Sequence, residues 1–371
     1  MPDPMSMLPD LHKVRRLAII RLSSIGDVTH ALPLSAALGE AFPNLELTWI
    51  VEEMSADIVT GNPYLQEVLV IPRTRWKQGR WRSLQVWREY AAFLAGIRRR
   101  KFDVTLDLQG YAKSALLALA SGAKHRYGWW RLRDGANLVS RSLPRREQSV
   151  HRVDWFLDVA RAFGAEPGRV RFPLHVPAEA QERAITLLDA GGIAPETPFA
   201  VLNPAVGNET RRWGAARYAE LAVGLAREFG LPSVLIGSGK DMALNEEVRT
   251  LAQQGDGWPA PVAMPLNLAG QTNLKELAAV LERCAVHVCG DTGSAHIAAA
   301  LERPVVALYG PTDPAMAGPW GQSENVLARR EFCTPECNVR KCMVDARVAR
   351  CLSEITVRDV LEKVGKNLYG R

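Results

Sequence analysis

Residues 16–42 read RLAIIRLSSIGDVTHALPLSAALGEAF. The first seven form a short apolar run, the pattern of a strand buried on both faces. Ser23-Ser24-Ile25-Gly26-Asp27 follows, a polar stretch in which Gly26 permits a tight turn. From about residue 30 to residue 42 the apolar spacing becomes helical. Strand, tight loop and helix in that order open a parallel α/β sheet.

The same alternation runs along the chain. Strands are expected at residues 47–51 and 102–108 (FDVTLDL), the second followed by Gln109-Gly110 and a helix through residue 119. Residues 169–177, RVRFPLHVP, carry two prolines ahead of a helix at 178–190 and read as a domain junction. The pattern then restarts. Strands are expected at 199–202, 233–236, 285–289 and 304–309, and helices at 215–229, 274–283, 294–301 and 356–367. A chain of 371 residues suits two domains at about 100–200 residues each. The expectation is α/β with two domains, 1–175 and 176–371, and a cleft between them. Ligands in such folds bind outside the carboxyl ends of strands.

Composition narrows the class. Hydrophobic residues are 47% and charged residues 23%, which excludes a disordered or fibrous chain. No run of 18 apolar residues exists to span a membrane, and residues 1–13 lack a secretory signal, so a cytosolic protein is expected. The net charge of +6 conceals an asymmetry. Residues 1–175 hold 26 basic and 17 acidic side chains, whereas residues 176–371 hold 20 and 23. The first half should face something anionic: nucleic acid, membrane or an acidic substrate.

Three loops at expected strand ends carry polar residues that packing does not require. In the first, Asp27 is either an N-cap or a general base. The second, residues 203–213 (NPAVGNETRRW), offers Arg211 and Arg212 as bidentate phosphate ligands or as a solvated basic turn. The third, residues 290–296 (GDTGSAH), opens a helix whose N–H groups suit an anion, with His296 one turn inside. Its bland alternative is a capping run with a buried histidine. No P-loop, G-x-G-x-x-G, H-E-x-x-H or G-x-S-x-G occurs.

Two further features stand apart. Cys333, Cys337, Cys342 and Cys351 have the spacing C-x3-C-x4-C-x8-C, which can hold zinc or iron but lacks the C-x2-C of a zinc ribbon. Free thiols in a connecting loop are the favoured reading. Residues 72–101 contain ten Lys or Arg, among them Arg75 and Lys77, against Glu89 alone, with Trp76, Trp81, Trp87, Tyr90 and Phe93 interleaved. Basic plus aromatic suits nucleic acid or anionic lipid head groups, and a purely solvated face leaves the tryptophans unexplained.

Taken together, residues 21–33 (RLSSIGDVTHALP), 102–118 (FDVTLDLQGYAKSALLA), 203–213 and 290–314 (GDTGSAHIAAALERPVVALYGPTDP), with the cysteine-bearing tail, resemble the ADP-heptose:lipopolysaccharide heptosyltransferases of glycosyltransferase family 9. The resemblance covers nearly the whole chain in order. Arg75-Trp76-Lys77 and Gln109-Gly110 with Lys113 look most like heptosyltransferase I, which adds the first heptose to Kdo on lipid A. It implies a GT-B fold, two Rossmann-like domains facing across a cleft with the terminal helix crossing back. It implies an inverting transfer from ADP-heptose to an inner-core acceptor, with Asp27 as base. Asp291, Thr292 and Gly293 match the diphosphate loop, His296 a donor-site histidine, Arg211 a position usually lysine, and Asp241 loosely a ribose ligand. Arg75, Lys77, Gln109 and Lys113 are the acceptor candidates. No cofactor is implied for catalysis, and a structural metal at the cysteines is the minor expectation. The partners implied are ADP-heptose, Kdo-lipid A and the inner leaflet of the inner membrane, with the protein cytoplasmic and peripheral. Heptosyltransferase II and the iron-bearing protein (autotransporter) heptosyltransferases are the alternatives within the family. A nucleic-acid-binding protein leaves the 23–27 and 291–293 loops unexplained and is not expected.

The chemistry agrees with the resemblance. A sugar nucleotide leaves as a diphosphate anion, so transfer needs one base on the acceptor hydroxyl and positive stabilisation of the departing phosphate. The paired carboxylates of hydrolases are not required.

Overall fold

In the computed structural model, residues 8–78, 83–207, 212–254, 258–333, 337 and 350–370 are described. The chain divides into two compact units, Met1–His175 and Val176–Arg371.

The first unit holds six strands: β1 (Arg16–Ile20), β2 (Glu46–Glu52), β3 (Glu67–Ile71), β4 (Val104–Asp107), β5 (His125–Gly128) and β6 (Arg141–Ser142). They form one parallel sheet in the order β3-β2-β1-β4-β5-β6. Leu17, Ala18, Ile19 and Ile20 are wholly buried, as a central strand covered on both faces demands. The helices are α1 (Ile25–Ala41), α2 (Glu53–Val59), α3 (Arg73–Gln78), α4 (Leu84–Arg99), α5 (Ala112–Ser121) and α6 (Arg152–Ala162). Helix α1 begins five residues before the expected start, because the turn residues Ile25, Gly26 and Asp27 form its first turn. Asp27 therefore sits inside the helix, with Ser24 as the N-cap residue.

Among the described aromatics of the basic stretch, Trp76 is interior and Tyr90 and Phe93 pack half-buried against the same core. Trp76 is 2% exposed and meets Tyr90 and Phe93 edge-on at 5.4 and 6.0 Å. With Val86 and Ile97 they close the core under α4, leaving Trp87 and Leu84 to solvent. Packing thus explains most of the interleaving that suggested an aromatic binding face; Trp81 lies outside the described residues.

The second unit repeats the plan. Its strands are β7 (Ala200–Asn203), β8 (Ser233–Leu235), β9 (Leu266–Asn267), β10 (Val286–Gly290), β11 (Val305–Tyr309) and β12 (Val326–Ala328), parallel in the order β12-β11-β10-β7-β8-β9. The helices are α7 (Ala178–Ala190), α8 (Ala215–Phe229), α9 (Met242–Gln254), α10 (Leu274–Arg283), α11 (Gly293–Ala300), α12 (Pro314–Ala317), α13 (Arg350–Ser353) and α14 (Val357–Tyr369). The terminal helix α14 places Val357, Val360, Leu361 and Val364 in this unit's core, beside α8. Its apolar face is buried there, where a crossing back to the first domain was the expectation.

Each sheet is doubly wound, with the first strand central and the fourth beside it. The chain direction of growth reverses between β1 and β4, and between β7 and β10. The loops at the carboxyl ends of such a strand pair diverge and leave a crevice, the usual ligand position in this topology.

Candidate active site

At the β1/β4 crevice, a carboxylate is held by two guanidinium groups. Arg21 follows β1 directly and is 4% exposed. Its Nη2 lies 2.7 Å from Asp27 Oδ2, and its Nη1 donates to the Leu108 carbonyl at 2.6 Å. Arg152 Nη1, from the start of α6, donates to Asp27 Oδ1 at 2.6 Å. Ser24 Oγ donates to Asp27 Oδ2 at 3.2 Å. Burial pulls the Arg21 pKa down, and Asp27 beside it opposes that shift. Two cations thus converge on one carboxylate at the carboxyl end of β1.

The loop after β4 stitches itself to the loop after β1. Gln109 Oε1 accepts from the backbone N–H groups of Leu22 at 3.1 Å and Ser23 at 3.2 Å. Gln109 itself is 7% exposed. Asp107, at the end of β4, accepts from Gln109 N, Gly110 N and Ser114 Oγ at 2.8–3.0 Å. Burial raises the Asp107 pKa against those hydrogen bonds. The structure therefore gives Gln109 a firm role in orienting the segment that carries Asp27.

Of the other acceptor candidates, Lys113 and Arg75 lie on ion pairs. Lys113 Nζ, in the first turn of α5, is 3.0 Å from Glu52 Oε1, and Arg73 Nη1 is 2.8 Å from Glu52 Oε2. Glu52 is nearly buried at the end of β2, so it draws two cations to one carboxylate. Arg75 pairs with Glu89 at 2.5 Å, and Lys77 is exposed on α3. Sequence reasoning gave no role to Arg21 or Glu52, and counted Arg73 only within the basic stretch 72–101 and Arg152 only within the basic excess of residues 1–175. The one visible signal was a charged residue, Arg21, embedded in an otherwise apolar strand run.

At the β7/β10 crevice, the third loop becomes the N-terminus of α11. Thr292 is the N-cap residue and Gly293 the first helical residue. Asp291 is half-buried, and His296 is 7% exposed on the helix. Ser294 Oγ is met by three groups: Asn203 Nδ2 at 3.0 Å, His287 Nε2 at 3.0 Å and Thr292 Oγ1 at 2.9 Å. His287 Nδ1 lies 3.0 Å from the Val201 carbonyl. Burial pushes the His287 pKa down to about 4, so the ring is neutral at pH 7. His287 went unnoticed in the sequence, and Asn203 was read only as the first residue of the 203–213 loop.

Other candidates stand elsewhere. Asp241 Oδ2 accepts from Ser238 N at 2.8 Å and Ser238 Oγ at 2.6 Å, closing a capping box. Arg211 lies outside the described residues; Arg212 is half-buried beside Trp213, whose indole N–H donates to the Ile355 carbonyl at 2.9 Å. Cys351 is buried in the apolar core and Cys333 packs against it, while Cys337 is half-buried and Cys342 lies outside the described residues. Among the described residues, no group of three His, Cys, Asp or Glu side chains is arranged to hold a metal ion. No helix is long and apolar enough to cross a membrane among the described residues.

The chain is 29% identical over 328 residues to lipopolysaccharide heptosyltransferase 1 of Salmonella typhimurium, covering 87% of this chain and 96% of that one. It is 27% identical over 357 residues to lipopolysaccharide heptosyltransferase 2 of Escherichia coli, covering 94% and 97%. The solved structure of E. coli heptosyltransferase WaaC with ADP-2-deoxy-2-fluoro heptose is similar at a TM-score of 0.69 and 25% identity, covering 95% of this chain and 99% of that one. The two six-stranded α/β sheets match the GT-B heptosyltransferase structures. The family model described as glycosyltransferase family 9 (heptosyltransferase) matches residues 90–346, and with the two crevices in place the chain belongs to that family of glycosyltransferases.

Proposed function

We propose that this enzyme moves heptose from ADP-heptose to an inner-core lipopolysaccharide acceptor, Kdo-lipid A, with inversion at the anomeric carbon. The observation that carries the reading is Asp27, paired with both Arg21 and Arg152 at the carboxyl end of β1. In the reaction, Asp27 takes the proton of the acceptor hydroxyl as its oxygen bonds to the anomeric carbon. The bond from that carbon to the diphosphate breaks, and ADP leaves with the electron pair. Charge developing on the diphosphate is met by the N–H groups opening α11, at Asp291, Thr292 and Gly293, and by Arg211. His296 and Asp241 complete the donor side. Residues 1–175 are the acceptor-binding domain, with Arg75, Lys77, Gln109 and Lys113 toward the anionic acceptor. Residues 176–371 are the nucleotide-sugar domain. The excess of basic residues in the first half supports the inner-leaflet surface as the place where the acceptor is met.

The similarity to a heptosyltransferase 2 over 94% of the chain favours a second reading, in which the acceptor already carries one heptose. Incubation with ADP-heptose and either Kdo2-lipid A or its singly heptosylated product separates the two. ADP release with a one-heptose mass gain on Kdo2-lipid A supports the first reading. Transfer only to the heptosylated acceptor replaces it with the second, and no transfer to either refutes both.

A further inference from the structure

The hydrogen bonds joining His287, Ser294, Asn203 and Thr292 beneath the β7/β10 crevice fit together in one proton assignment, with the Cys289 thiol also against Thr292 and Ser294. The Val201 carbonyl accepts only, so His287 Nδ1 carries the proton and Nε2 is an acceptor. Ser294 Oγ–H must therefore donate to His287 Nε2. That uses the one hydroxyl proton of Ser294. Its two lone pairs then receive Asn203 Nδ2–H and Thr292 Oγ1–H. Every bonding position of the Ser294 hydroxyl is filled, and its orientation is fixed from three directions. The groups that fix it come from the end of β7, from within β10 and from the N-cap of α11. His287 is wholly buried, Ser294 is 6% exposed and Asn203 8%. A neutral polar cluster buried this completely, with every partner supplied, is a rigid support.

We propose that His287, acting through Ser294, is a positioning residue that holds the Asp291–Gly293 loop in the shape that receives the donor's diphosphate. The proposal rests on the reading of that loop as the donor site. His287 touches no substrate. It fixes the direction of the Ser294 hydroxyl, which fixes the Thr292 rotamer and so the main-chain N–H groups at the start of α11. Without the Nε2 acceptor, the Ser294 proton turns toward Thr292 or Asn203 and competes with the donors already there. The loop then has several arrangements, and the anion must select one of them.

The test is ADP binding by calorimetry, with steady-state kinetics, on the full chain carrying His287→Leu, His287→Gln, Val286→Ala and Gly293→Val. His287→Leu should weaken ADP about tenfold, the worth of one buried hydrogen bond, and raise the donor KM alike while the acceptor KM stays within about threefold. His287→Gln puts an amide oxygen near the Nε2 position and should recover most of the loss. Val286→Ala, a cavity in the same strand one residue away, should lower the melting temperature and leave ADP affinity unchanged. ADP binding untouched by His287→Leu, or weakened equally by Val286→Ala, overturns the proposal while Gly293→Val still abolishes binding. ADP binding untouched by Gly293→Val overturns the donor-loop reading and the proposal with it.

Discussion

Asp27, the proposed base, is held by two arginines that differ in how far they are buried. The Arg21 side chain is 5% exposed and that of Arg152 34%. Arg21 is therefore the fixed anchor. Asp27→Ala should lower kcat by about 10²–10⁴ and leave ADP affinity intact, which kinetics beside calorimetry would check. The same change strands a buried guanidinium, so it should also destabilise the protein, and activity must be normalised to the folded fraction. Arg21→Met should cost about 3–5 kcal/mol of stability by chemical denaturation, since it leaves Asp27 with one cation and the Leu108 carbonyl without its donor. His287 adds a pH signature. Its folded pKa of about 4 lies below the unfolded value near 6.5, so the unfolded chain binds the proton first. Stability from this residue is complete above about pH 6.5 and lost as pH falls toward 4, by about 3 kcal/mol. Urea midpoints across that range should fall more steeply for the native protein than for His287→Leu. Asp27 was legible in the sequence because a short polar turn after an apolar strand is a local pattern. Arg152 as its partner was not, since the two are separated by 125 residues and nothing local encodes the pairing.

At the scale of elements, both crevices are built alike. The loop after the first strand is tied to the loop after the fourth by side chains: Gln109 and Arg21 in one unit, Asn203 and Ser294 in the other. Strands and helices were legible because apolar period and turn residues are local; α7, α8 and α10 fall on the expected residues. The ties across each crevice were hidden because a glutamine or serine shows its partner only in three dimensions. The same limit misread the basic stretch, where Trp76 belongs to the core of α4 and reads in one dimension like a surface aromatic. Helix α14 is amphipathic and starts with a capping box in which Thr356 bonds Asp359 N. Thr356→Ala should cost about 1 kcal/mol and Leu361→Ala about 2–5 kcal/mol by denaturant titration, the second because it opens a cavity against α8. The thiols of Cys284, just before β10, and Cys289, within it, supply a control on packing. Burial pushes Cys284 up to about 12 and Cys289 higher still, so neither forms thiolate near neutral pH. Native alkylation mapped by mass spectrometry should leave both unmodified until denaturant is added.

At the scale of the whole molecule, the charge is divided rather than large. The first half carries nine more basic than acidic residues, and the second three fewer. On the proposed assignment of acceptor to the first half and nucleotide to the second, long-range attraction acts on the acceptor, whereas the diphosphate is held by short contacts at one helix start. These two regimes respond differently to salt. Attraction between exposed charges is screened over about 8–10 Å near physiological ionic strength, while hydrogen bonds at a partly buried loop are screened far less. Raising salt from low to physiological levels should therefore raise the acceptor KM several-fold and leave the donor KM nearly flat. The double variant Arg75→Ala and Lys77→Ala should start with a higher acceptor KM and depend less on salt. Arg75 is paired with Glu89, so its replacement also uncovers a carboxylate and deepens the loss. Lys77 is exposed, and its replacement alone isolates the long-range term. A donor KM that rises with salt in parallel would place the attraction in the nucleotide's domain, and an acceptor KM indifferent to both salt and the variants would detach the basic half from acceptor binding altogether.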